Sequence, residues 1–413
     1  MVNEALKTEL PKDWAAVILG DYAQIFRGGS PRPIQDFITT SDKGINWIKI
    51  GDVGVGAKYV KSTEEKIIPE GVSRSRMVYE GDLILSNSMS FGRPYIMNIE
   101  GCIHDGWLVI QKYDKTFYKD YLYYALSSEL TMQQYIAMAA GSSVQNLNKD
   151  KVLKVILPCP KIPEQKKIAE ALSAIDVLLI DLQKLIRKKK NICQGTLQKL
   201  ITGKTRLSGF SGDWIKINLS KNSKLKARIG WQGLTTAEYL DEGYSYLITG
   251  TDFKDGQIDW NGCHYVDYDR YAQDPNIQVS NGDLLLTKDG TIGKVAYVTG
   301  LKRPATLNSG VFLVKPITDV YTAHFMFYVL ESSVFKDFLQ QLSAGSTINH
   351  LYQKDLVKFE LFVPPTKEEQ EAIAGILFDM DSEIHKLEEK LSKIQKVKQG
   401  MMEELLTGKV RLV

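Results

Sequence analysis

Two long stretches of the chain place apolar residues at alternating steps of four and three, which is the spacing of a coiled-coil seam. One lysine interrupts each seam, Lys189 in the first stretch and Lys398 in the second. Each stretch covers about 36 residues, which corresponds to about 54 Å of helix. The apolar seam positions are Ile168, Leu172, Ile175, Leu179, Leu182, Ile186, Cys193 and Leu200, and then Ile373, Leu377, Met380, Ile384, Leu387, Leu391, Ile394, Met401 and Leu405.

Start and stop signals flank both stretches. Prolines precede them, at Pro158, Pro160 and Pro163 and at Pro364 and Pro365, and a Thr-Gly-Lys segment follows each one. Proline suits the start of a helix and glycine its end. A helix with one apolar stripe has to bury that stripe, and each stretch offers a partner to the other. Because a whole domain separates them in sequence, we expect an antiparallel pair.

The remaining segments have the pattern of α+β domains. Short β-rich runs alternate with glycines and polar turns, and an aromatic-rich helical stretch follows them. The aromatic-rich stretch of each domain has aromatic residues at helical spacing, and we expect them in the core rather than stacked on bases. These residues are Tyr121 and Tyr124 in the first domain, and Phe325 and Tyr328 in the second. The β-rich runs of the first domain include residues 45–50, 83–85, 95–97 and 107–110.

The chain also repeats itself over a long range. Residues 164–207 align without a gap on residues 369–412, an offset of 205 residues. Earlier blocks repeat with small shifts, such as Asp13-Trp14 and Asp213-Trp214. Chance does not produce so many ordered matches, so the two halves are copies of one unit.

The predicted fold class is therefore α+β, with two similar α+β domains separated by two long helices that pack as an antiparallel coiled coil in a pseudo-twofold repeat. The expected domains are residues 1–157, which include a short N-terminal helix, and residues 208–363. The expected helical regions are residues 158–207 in the centre and residues 364–413 at the C-terminus.

Composition narrows the class of protein. With 413 residues, 44% hydrophobic and 24% charged, the chain resembles globular proteins of two or three domains. No apolar run approaches the roughly 20 residues that a membrane-spanning helix needs, so we expect no membrane association and a cytoplasmic location. The four cysteines form no CxxC pair, which argues against a disulfide framework and a zinc site.

The net charge of +3 says little about binding partners, but the distribution of the charged residues along the chain says more. Eight basic residues lie in a segment that contains no acidic residue. This segment is either a solvated helix face or a surface that binds phosphates, and both readings stay open. The eight are Lys184, Arg187, Lys188, Lys189, Lys190, Lys199, Lys204 and Arg206.

The sequence does not match the common catalytic motifs. Gly203-Lys204-Thr205 imitates the end of a phosphate-binding loop, but Gln198 stands where the first glycine is required and the segment follows a helix. The five histidines have no metal-ligand spacing. No Asn/Asp-Pro-Pro-aromatic segment and no nuclease-like acidic cluster common to both copies is present. The sequence therefore indicates a binding protein rather than an enzyme.

In this layout the chain resembles the specificity subunit of type I restriction-modification systems along nearly its whole length. In that family, two target-recognition domains alternate with two similar helical regions. No single motif carries the resemblance, but their order and their repetition do. The motifs are residues 158–168 (PCPKIPEQKKI) and 364–373, residues 27–31 (RGGSP), residues 282–293 (GDLLLTKDGTIG), and the Ala-Gly-Ser-Ser/Thr segments at 140–143 and 344–347.

The resemblance implies a non-catalytic subunit that reads double-stranded DNA at a bipartite site, one half for each recognition domain. It also implies assembly with two DNA-adenine methyltransferase subunits and with a restriction subunit. We expect no cofactor or metal on this chain, because S-adenosylmethionine would belong to the methyltransferase and ATP with Mg²⁺ to the restriction subunit. The helices would set the spacing and bind the methyltransferase subunits.

Loops that differ between the copies supply the candidate DNA contacts. Asn and Gln suit adenine, Arg suits guanine, and Lys or small hydroxyl groups suit phosphates, although the same residue types also favour plain turns. The candidates are Arg27, Ser30, Ser86, Asn87, Ser88, Ser90, Arg93, Gln145 and Asn146 in the first domain, and Arg228, Trp231, Gln232, Thr287, Lys288, Asp289, Lys294, Asn349 and His350 in the second.

Half-site centres one helical turn apart would leave roughly six unspecified base pairs between two short half-sites. Two other functions stay open. The chain could be a coiled-coil scaffold without DNA specificity, which would show no salt-dependent DNA binding. It could also be a DNA-modifying enzyme with an unrecognised active site, which would act on DNA without partners.

Overall fold

The computed structural model describes residues 10–54, 56–87, 91–139, 147–230, 233–343 and 350–412. The short helix expected at the N-terminus falls on residues outside these ranges. The chain divides into two compact units, of which one comprises residues 1–183 and 389–413 and the other residues 184–388. The four-part division expected from the sequence stays a prediction, since these units divide the chain within the long helices.

The first unit contains a strand pair, β1-β12, and two five-stranded sheets, β3-β6-β4-β10-β7 and β2-β11-β8-β9-β5. Both larger sheets are mixed, because β4 pairs with β10, and β5 with β9, in parallel. The strands are β1 Ala15–Ile18, β2 Gln24–Arg27, β3 Ile38–Thr39, β4 Ile45–Ile48, β5 Tyr59–Val60, β6 Glu65–Ile67, β7 Arg76–Val78, β8 Leu83–Ser86, β9 Pro94–Met97, β10 Gly101–Ile103, β11 Trp107–Gln111 and β12 Ile156–Cys159.

The second unit repeats this plan with shorter sheets, β13-β24, β14-β23-β20-β21 and β18-β15-β22-β19, and adds the hairpin β16-β17. The parallel pair β15-β22 corresponds to β4-β10 of the first unit. The strands are β13 Ile215–Asn218, β14 Ser223–Lys226, β15 Ser245–Ile248, β16 Phe253–Lys254, β17 Gln257–Ile258, β18 His264–Val266, β19 Gln278–Val279, β20 Leu284–Thr287, β21 Val295–Tyr297, β22 Ala305–Leu307, β23 Val311–Pro316 and β24 Glu360–Val363.

The helices occupy equivalent places in the two copies. Each set begins with a single short turn and ends with one long helix. The first set is α1 Leu19–Tyr22, α2 Lys119–Ser127, α3 Glu129–Ala139, α4 Lys149–Leu153 and α5 Ile162–Ile201. The second set is α6 Leu219–Asn222, α7 Tyr268–Ala272, α8 Ala323–Glu331, α9 Ser333–Ser343, α10 Gln353–Leu356 and α11 Lys367–Thr407.

The long helices α5 and α11 exceed the expected length, with 40 and 41 residues instead of about 36. Pro163 lies inside the first turn of α5 rather than before it, where a proline removes no helical hydrogen bond. Both helices end where expected, because Gly203 and Gly408 adopt φ of +69° and +74°. That left-handed conformation is readily accessible to glycine and stops a helix.

Within the first unit, the start of α5 packs against the end of α11. Ile168 and Leu172 share a buried cluster with Leu405 and Leu406. Lys398 forms an ion pair with Asp176, 2.6 Å between Nζ and Oδ1. The early part of one helix thus meets the late part of the other, as an antiparallel pair requires, and the seam lysine is neutralised by a partner on the facing helix.

Within the second unit, the end of α5 packs in the same way against the start of α11. Leu200 shares a buried cluster with Ile373 and Leu377. Lys189 and Lys190 form ion pairs with Glu383 and Glu388 of α11, both with N–O distances of 2.7–2.8 Å. Part of the basic segment therefore binds carboxylates within the protein.

The aromatic positions of α2 and α8 are core residues, as predicted. Tyr121, Tyr124 and Phe325 are fully buried, and Tyr328 is 3% exposed. Tyr121 donates its hydroxyl hydrogen to the Pro158 carbonyl at the base of α5. The aromatic helices thus join each sheet to the adjoining long helix.

Candidate nucleic-acid interface

In the first unit, β8 and β9 form a hairpin whose loop is closed at its base by Ser86 and Arg93. The Ser86 amide donates to the Arg93 carbonyl, and Ser86 Oγ accepts from the Arg93 amide, both at 3.0 Å. The Gly92 amide donates to the Ser86 carbonyl at 2.9 Å, with Gly92 at φ +73°. Because Ser86 is fully buried, these contacts fix the two ends of the hairpin strands to each other.

Two neighbouring segments attach to this loop through Asn87. The Asn87 amide donates to the Gly106 carbonyl in the turn between β10 and β11, at 2.9 Å. The Asn87 carbonyl accepts from the Leu147 amide at 3.0 Å, and Asn87 Nδ2 donates to the Asp105 carbonyl at 3.0 Å. The hairpin, the β10–β11 turn and the segment before α4 therefore form one surface.

The second unit has the same backbone frame. The Thr287 amide donates to the Lys294 carbonyl, and Thr287 Oγ1 accepts from the Lys294 amide, both at 2.9 Å. The Lys288 amide donates to the Gly310 carbonyl at 2.9 Å, and the Lys288 carbonyl accepts from the Leu351 amide at 2.8 Å. These contacts match the backbone bonds of Asn87 and the bonds between Ser86 and Arg93 in the first hairpin.

The side chains on the two frames differ. Asn87 is 2% exposed and bonded to the neighbouring turn. At the same place Lys288 lies over the Phe312 ring, with Nζ 5.5 Å from the centroid, and 3.8 Å from the Asp289 carboxylate. One scaffold thus presents two chemically different loops.

Asp105 organises the first surface. Arg27 Nε donates to its carbonyl at 2.9 Å, and Ser30 Oγ donates to its carboxylate at 2.8 Å. Arg27 and Arg32 both place a guanidinium nitrogen within 3.9 Å of the same carboxylate. Both arginine side chains remain largely exposed, at 56% and 82%. Arg27, Ser30 and Asn87, which were predicted separately, are thereby brought to one residue.

The electrostatics of Asp105 favour a charged carboxylate. Partial burial by itself raises its pKa, but the hydrogen bond from Ser30 and the electrostatic influence of the neighbouring His104 and Arg27 side chains outweigh this effect and lower the pKa. The ionised carboxylate holds two exposed arginines beside the hairpin. Arginine is suited to bidentate contact with guanine or phosphate.

In the second unit, Asp289 and His350 fill the equivalent surface. The His350 imidazole is hydrogen-bonded to the Asp289 carboxylate, and the two residues also form an isolated β-bridge. The His350 ring lies 4.3 Å from the Tyr352 ring. The hairpin and the segment before α10 are thus joined by side chains as well as by backbone.

Arg228 is directed into the protein. It is 2% exposed, and its Nε donates to the Leu307 carbonyl at 2.9 Å while Nη2 donates to Thr306 Oγ1 at 3.3 Å. Burial lowers its pKa. Its observed contacts are therefore internal, and a DNA contact at Arg228 stays a prediction.

Arg93 and Lys294 occupy the same position on the two hairpins, and both are exposed. These two candidate cations therefore stand at equivalent exposed places on the two frames. Seven candidates lie outside the described residues, namely Ser88, Ser90, Gln145, Asn146, Trp231, Gln232 and Asn349.

Asp105 was not among the sequence candidates, although its carbonyl and carboxylate contact three of them. The available signal was the Asp105-Gly106 pair directly before the β-rich run predicted at residues 107–110, which marks a turn. That signal does not identify the partners, because they lie 18 to 78 residues away along the chain.

Among the described residues, no group of three or more His, Cys, Asp or Glu side chains is placed to hold a metal ion. Within the same ranges, no helix combines the length and the apolar character needed to cross a membrane.

Comparison with known proteins identifies the family. The model of the type I restriction modification DNA specificity domain matches the chain twice, over residues 11–192 and 213–396. The chain belongs to the type I restriction-modification specificity family. The resemblance predicted from the sequence is thereby confirmed, and the double match agrees with the internal repeat.

Curated members of the specificity family match nearly the whole chain. It is 24% identical over 420 residues to the type I restriction enzyme MjaVIII specificity subunit of Methanocaldococcus jannaschii, covering 98% of this chain and 94% of that one. It is 22% identical over 422 residues to the EcoBI specificity subunit of Escherichia coli, covering 96% and 86%.

Solved structures of the same family share the fold. The S subunit of a type I restriction-modification system from M. genitalium matches with a TM-score of 0.62 at 16% identity, covering 96% of this chain and 98% of that one. A chain from a study of complex assembly and conformational transition of the type I R-M system matches with a TM-score of 0.58. The predicted α+β architecture with two long helices is confirmed.

Proposed function

We propose that this specificity subunit has no catalytic role and reads a bipartite site in double-stranded DNA, with each recognition domain contacting one half-site. The surface proposed for each half-site is the hairpin loop together with the turn and the segment that are hydrogen-bonded to it. In the first unit this surface includes Arg27 and Arg93, with the buried Asn87 joining its segments, and in the second Lys288, Lys294 and His350.

The observation that carries the proposal is the duplicated loop frame with unequal side chains. Phosphate contacts position a protein on DNA, whereas directional contacts to base edges select the sequence. A fixed backbone frame with exchangeable side chains meets both needs, since Arg93 and Lys294 can serve the phosphates at equivalent places. The loop sequences at residues 87–91 and 288–292 differ, so we expect the half-sites to differ.

We further propose that the long helices set the number of unspecified base pairs and dock two methyltransferase subunits. The repeat supports this, because a duplicated helix offers two similar surfaces to two identical partners. With a restriction subunit added, the assembly would act as a nuclease. S-adenosylmethionine and ATP with Mg²⁺ are expected on those partners and not on this chain.

The decisive experiment is co-expression with the methyltransferase subunit, followed by methylome sequencing. The native chain should direct methylation to one bipartite motif. Replacing residues 87–91 with the residues at 288–292 should change the half-site read by the first domain and leave the other half-site unaltered. A matched control, Lys115→Ala, alters an exposed cation beyond the far end of β11 and should leave the motif unchanged.

Other outcomes would favour the two alternatives. A scaffold without DNA specificity would be supported if the exchange left both half-sites unchanged and if the DNA affinity did not fall as salt is raised. Methylation or cleavage of DNA by the purified chain alone would support an enzyme.

A further inference from the structure

The two units treat one tyrosine–aspartate pair differently, a buried tyrosine bonded to an aspartate of the adjoining long helix. In the first unit, Tyr124 donates its hydroxyl hydrogen to Asp176 at 2.5 Å. Two ammonium groups complete this cluster: Lys398 Nζ lies 2.6 Å from Asp176 Oδ1, and Lys58 Nζ lies 3.3 Å from the Tyr124 hydroxyl. Lys58 also pairs with Asp120 at 2.7 Å and is 9% exposed. The first unit therefore supplies its own cations.

In the second unit, the equivalent pair lacks the cation from the facing helix. Tyr328 donates to Asp381 at 3.0 Å. Under the 205-residue offset, Cys193 takes the place of Lys398. Its thiol lies 3.4 Å from the other Asp381 oxygen, and burial with the neighbouring carboxylate raises its pKa to about 12. The group that replaces the lysine is thus neutral.

Gly256 takes the place of the other lysine. The Ile96 amide donates to the Lys58 carbonyl, and the equivalent Tyr297 amide donates to the Gly256 carbonyl, both at 2.9 Å. The backbone positions therefore coincide, but Gly256 carries no side chain. It also adopts φ +76°, and a Cβ there would lie 2.6 Å from the Phe327 ring, so a lysine is not accommodated at this position.

A cavity of about 570 Å³ lies where the two ammonium groups are missing. Its walls combine apolar and acidic side chains, which is the lining that suits an alkyl chain ending in a cation. The acidic part includes Glu331, whose pKa is raised by burial. The residues that matter here are Leu197, Phe327, Glu331, Leu377, Asp381 and Ile384.

The charges around the cavity are unbalanced in favour of the carboxylates. Two of its lysines are engaged, Lys190 with Glu388 and Lys254 with Asp259. The remaining charged side chains of the wall include one lysine, Lys336, and three carboxylates, Asp255, Glu331 and Asp381. In the first unit the Lys398 ammonium pairs with Asp176, the counterpart of Asp381, so a cation is the group that the second unit lacks beside Asp381.

We propose that the cavity of the second unit binds an alkylammonium group supplied from outside the chain, with its nitrogen beside Asp381 and Tyr328 and its alkyl chain against Leu377 and Phe327. The ammonium then occupies the place that Lys398 and Lys58 fill in the first unit. Its source is either a lysine of an assembled protein subunit or a free aliphatic amine, which share this chemistry.

The test uses the full chain and isothermal titration with 1,5-diaminopentane, with 1-pentanol as the uncharged control. The amine should bind at least tenfold more tightly than the alcohol. Asp381→Asn should weaken amine binding at least tenfold, whereas Asp337→Asn, on the exposed side of α9, should leave it unchanged. Equal affinity for amine and alcohol, or no loss on Asp381→Asn, would overturn the proposal.

A second variant guards against a folding defect in the first. Cys193→Lys restores the lysine that the first unit has, so it should raise the Tm by about 2 °C or more and reduce amine binding at least tenfold. Cys193→Met, of similar length but uncharged, should not raise the Tm. A Cys193→Lys chain that binds the amine as the native chain does would contradict the proposal.

The source is separated with the complex of this chain and its methyltransferase subunit, an arm that rests on the proposed function. Loss of diaminopentane binding in the complex, with weaker assembly of the Asp381→Asn chain, assigns the ammonium to a lysine of the partner. Unchanged binding in the complex assigns it to a free amine. Titration of the isolated chain is independent of the proposed function, so failure of one is distinguishable from failure of the other.

Discussion

Arg411, which follows α11, donates through Nε and Nη2 to the two carboxylate oxygens of Glu164 at the start of α5, at 2.5 and 2.8 Å. Arg206, which follows α5, makes the same bidentate contact with Glu369 at the start of α11, at 2.9 and 2.7 Å. In the repeat, Arg206 aligns with Arg411 and Glu164 with Glu369. Each arginine therefore binds the glutamate of the other copy, which ties the end of each helix to the beginning of its partner.

Glu164 should be important for stability, because it is buried and accepts hydrogen bonds from Arg411 and from Trp14 Nε1 at 3.1 Å. Glu164→Gln removes the charge on which the arginine depends, and we expect a loss of about 1–3 kcal/mol in the free energy of unfolding, measured in urea. Glu170→Gln, exposed on the same helix, is the control. Equal unfolding midpoints for the two variants would contradict this role.

Lys58 should stabilise the first unit. Its ammonium group contacts Asp120, Tyr124 and Ser173 from a largely buried position. Lys58→Met keeps the length of the side chain but leaves buried acceptors without their cation, so the expected cost is about 2–4 kcal/mol by chemical denaturation. Lys61→Met, at an exposed position in the same segment, should change stability by less than about 0.5 kcal/mol.

Arg93→Ala and Lys294→Ala should weaken DNA binding without affecting folding, since both side chains are exposed on their hairpins. If the lost contact is to a phosphate, affinity should fall for all sequences alike and the salt dependence should decrease. If the contact is to a base, the loss should be about 1–3 kcal/mol and confined to one position of the half-site. Titration of the methyltransferase complex with DNA at two salt concentrations separates these outcomes, and Lys302→Ala serves as the control for the second unit.

Asp105 should remain ionised across the neutral range. Its lowered folded-state pKa means that it contributes stability above its unfolded value near 3.8, and that this contribution is lost as the pH falls through the folded value. A carbon-detected NMR titration of the carboxyl group should therefore give a midpoint below the ordinary value. Asp105→Asn keeps the bonds to its carbonyl, so we expect little change in stability and altered selectivity at the first half-site. A midpoint above 4 would contradict the role assigned to Ser30 and Arg27.

The helix lengths should control the spacing of the target. Removing one heptad from the middle of α5 and one from α11 preserves the seam and shortens each helix by about 10 Å, or roughly three base pairs of DNA. The methylated motif should keep both half-sites and lose spacer positions. An unchanged spacer would contradict the idea that the helices set the distance.

The periodic parts of the protein were predictable from the sequence. Local patterns predict the seam residues, the strands at residues 45–50 and 107–110, and the buried Tyr121 and Tyr124. The antiparallel pairing followed from the whole domain that separates the two helices in sequence. Such patterns are reliable because the side chains on one face of a helix or a strand recur at a fixed period. Apolar residues at that period therefore mark the face that is buried. The ends of helices are predicted less precisely, since α5 begins at Ile162 and includes Pro163 in its first turn.

The composition of the candidate site was only partly predictable. Turn residues identified the hairpin loops, but the same residue types shape a turn and contact DNA. Only the folded structure separates the buried Ser86 and Thr287, which close their loops, from the exposed Arg93 and Lys294. Asp105 was not predicted, because its contacts are with Arg27, Ser30 and Asn87, which lie far from it in sequence.

The sequence by itself determined that the chain is two copies of one unit, that two long helices pair, and that the loops differ. The tertiary structure alone decided which residues meet. It brings Arg411 to Glu164 and Arg206 to Glu369 across the copies, joins Asp105 to Arg27 and Asn87, and leaves a cavity at Gly256 and Cys193 where the first unit places two lysines. Periodicity is a property of neighbours along the chain, whereas these contacts depend on the packing of segments that lie far apart in sequence.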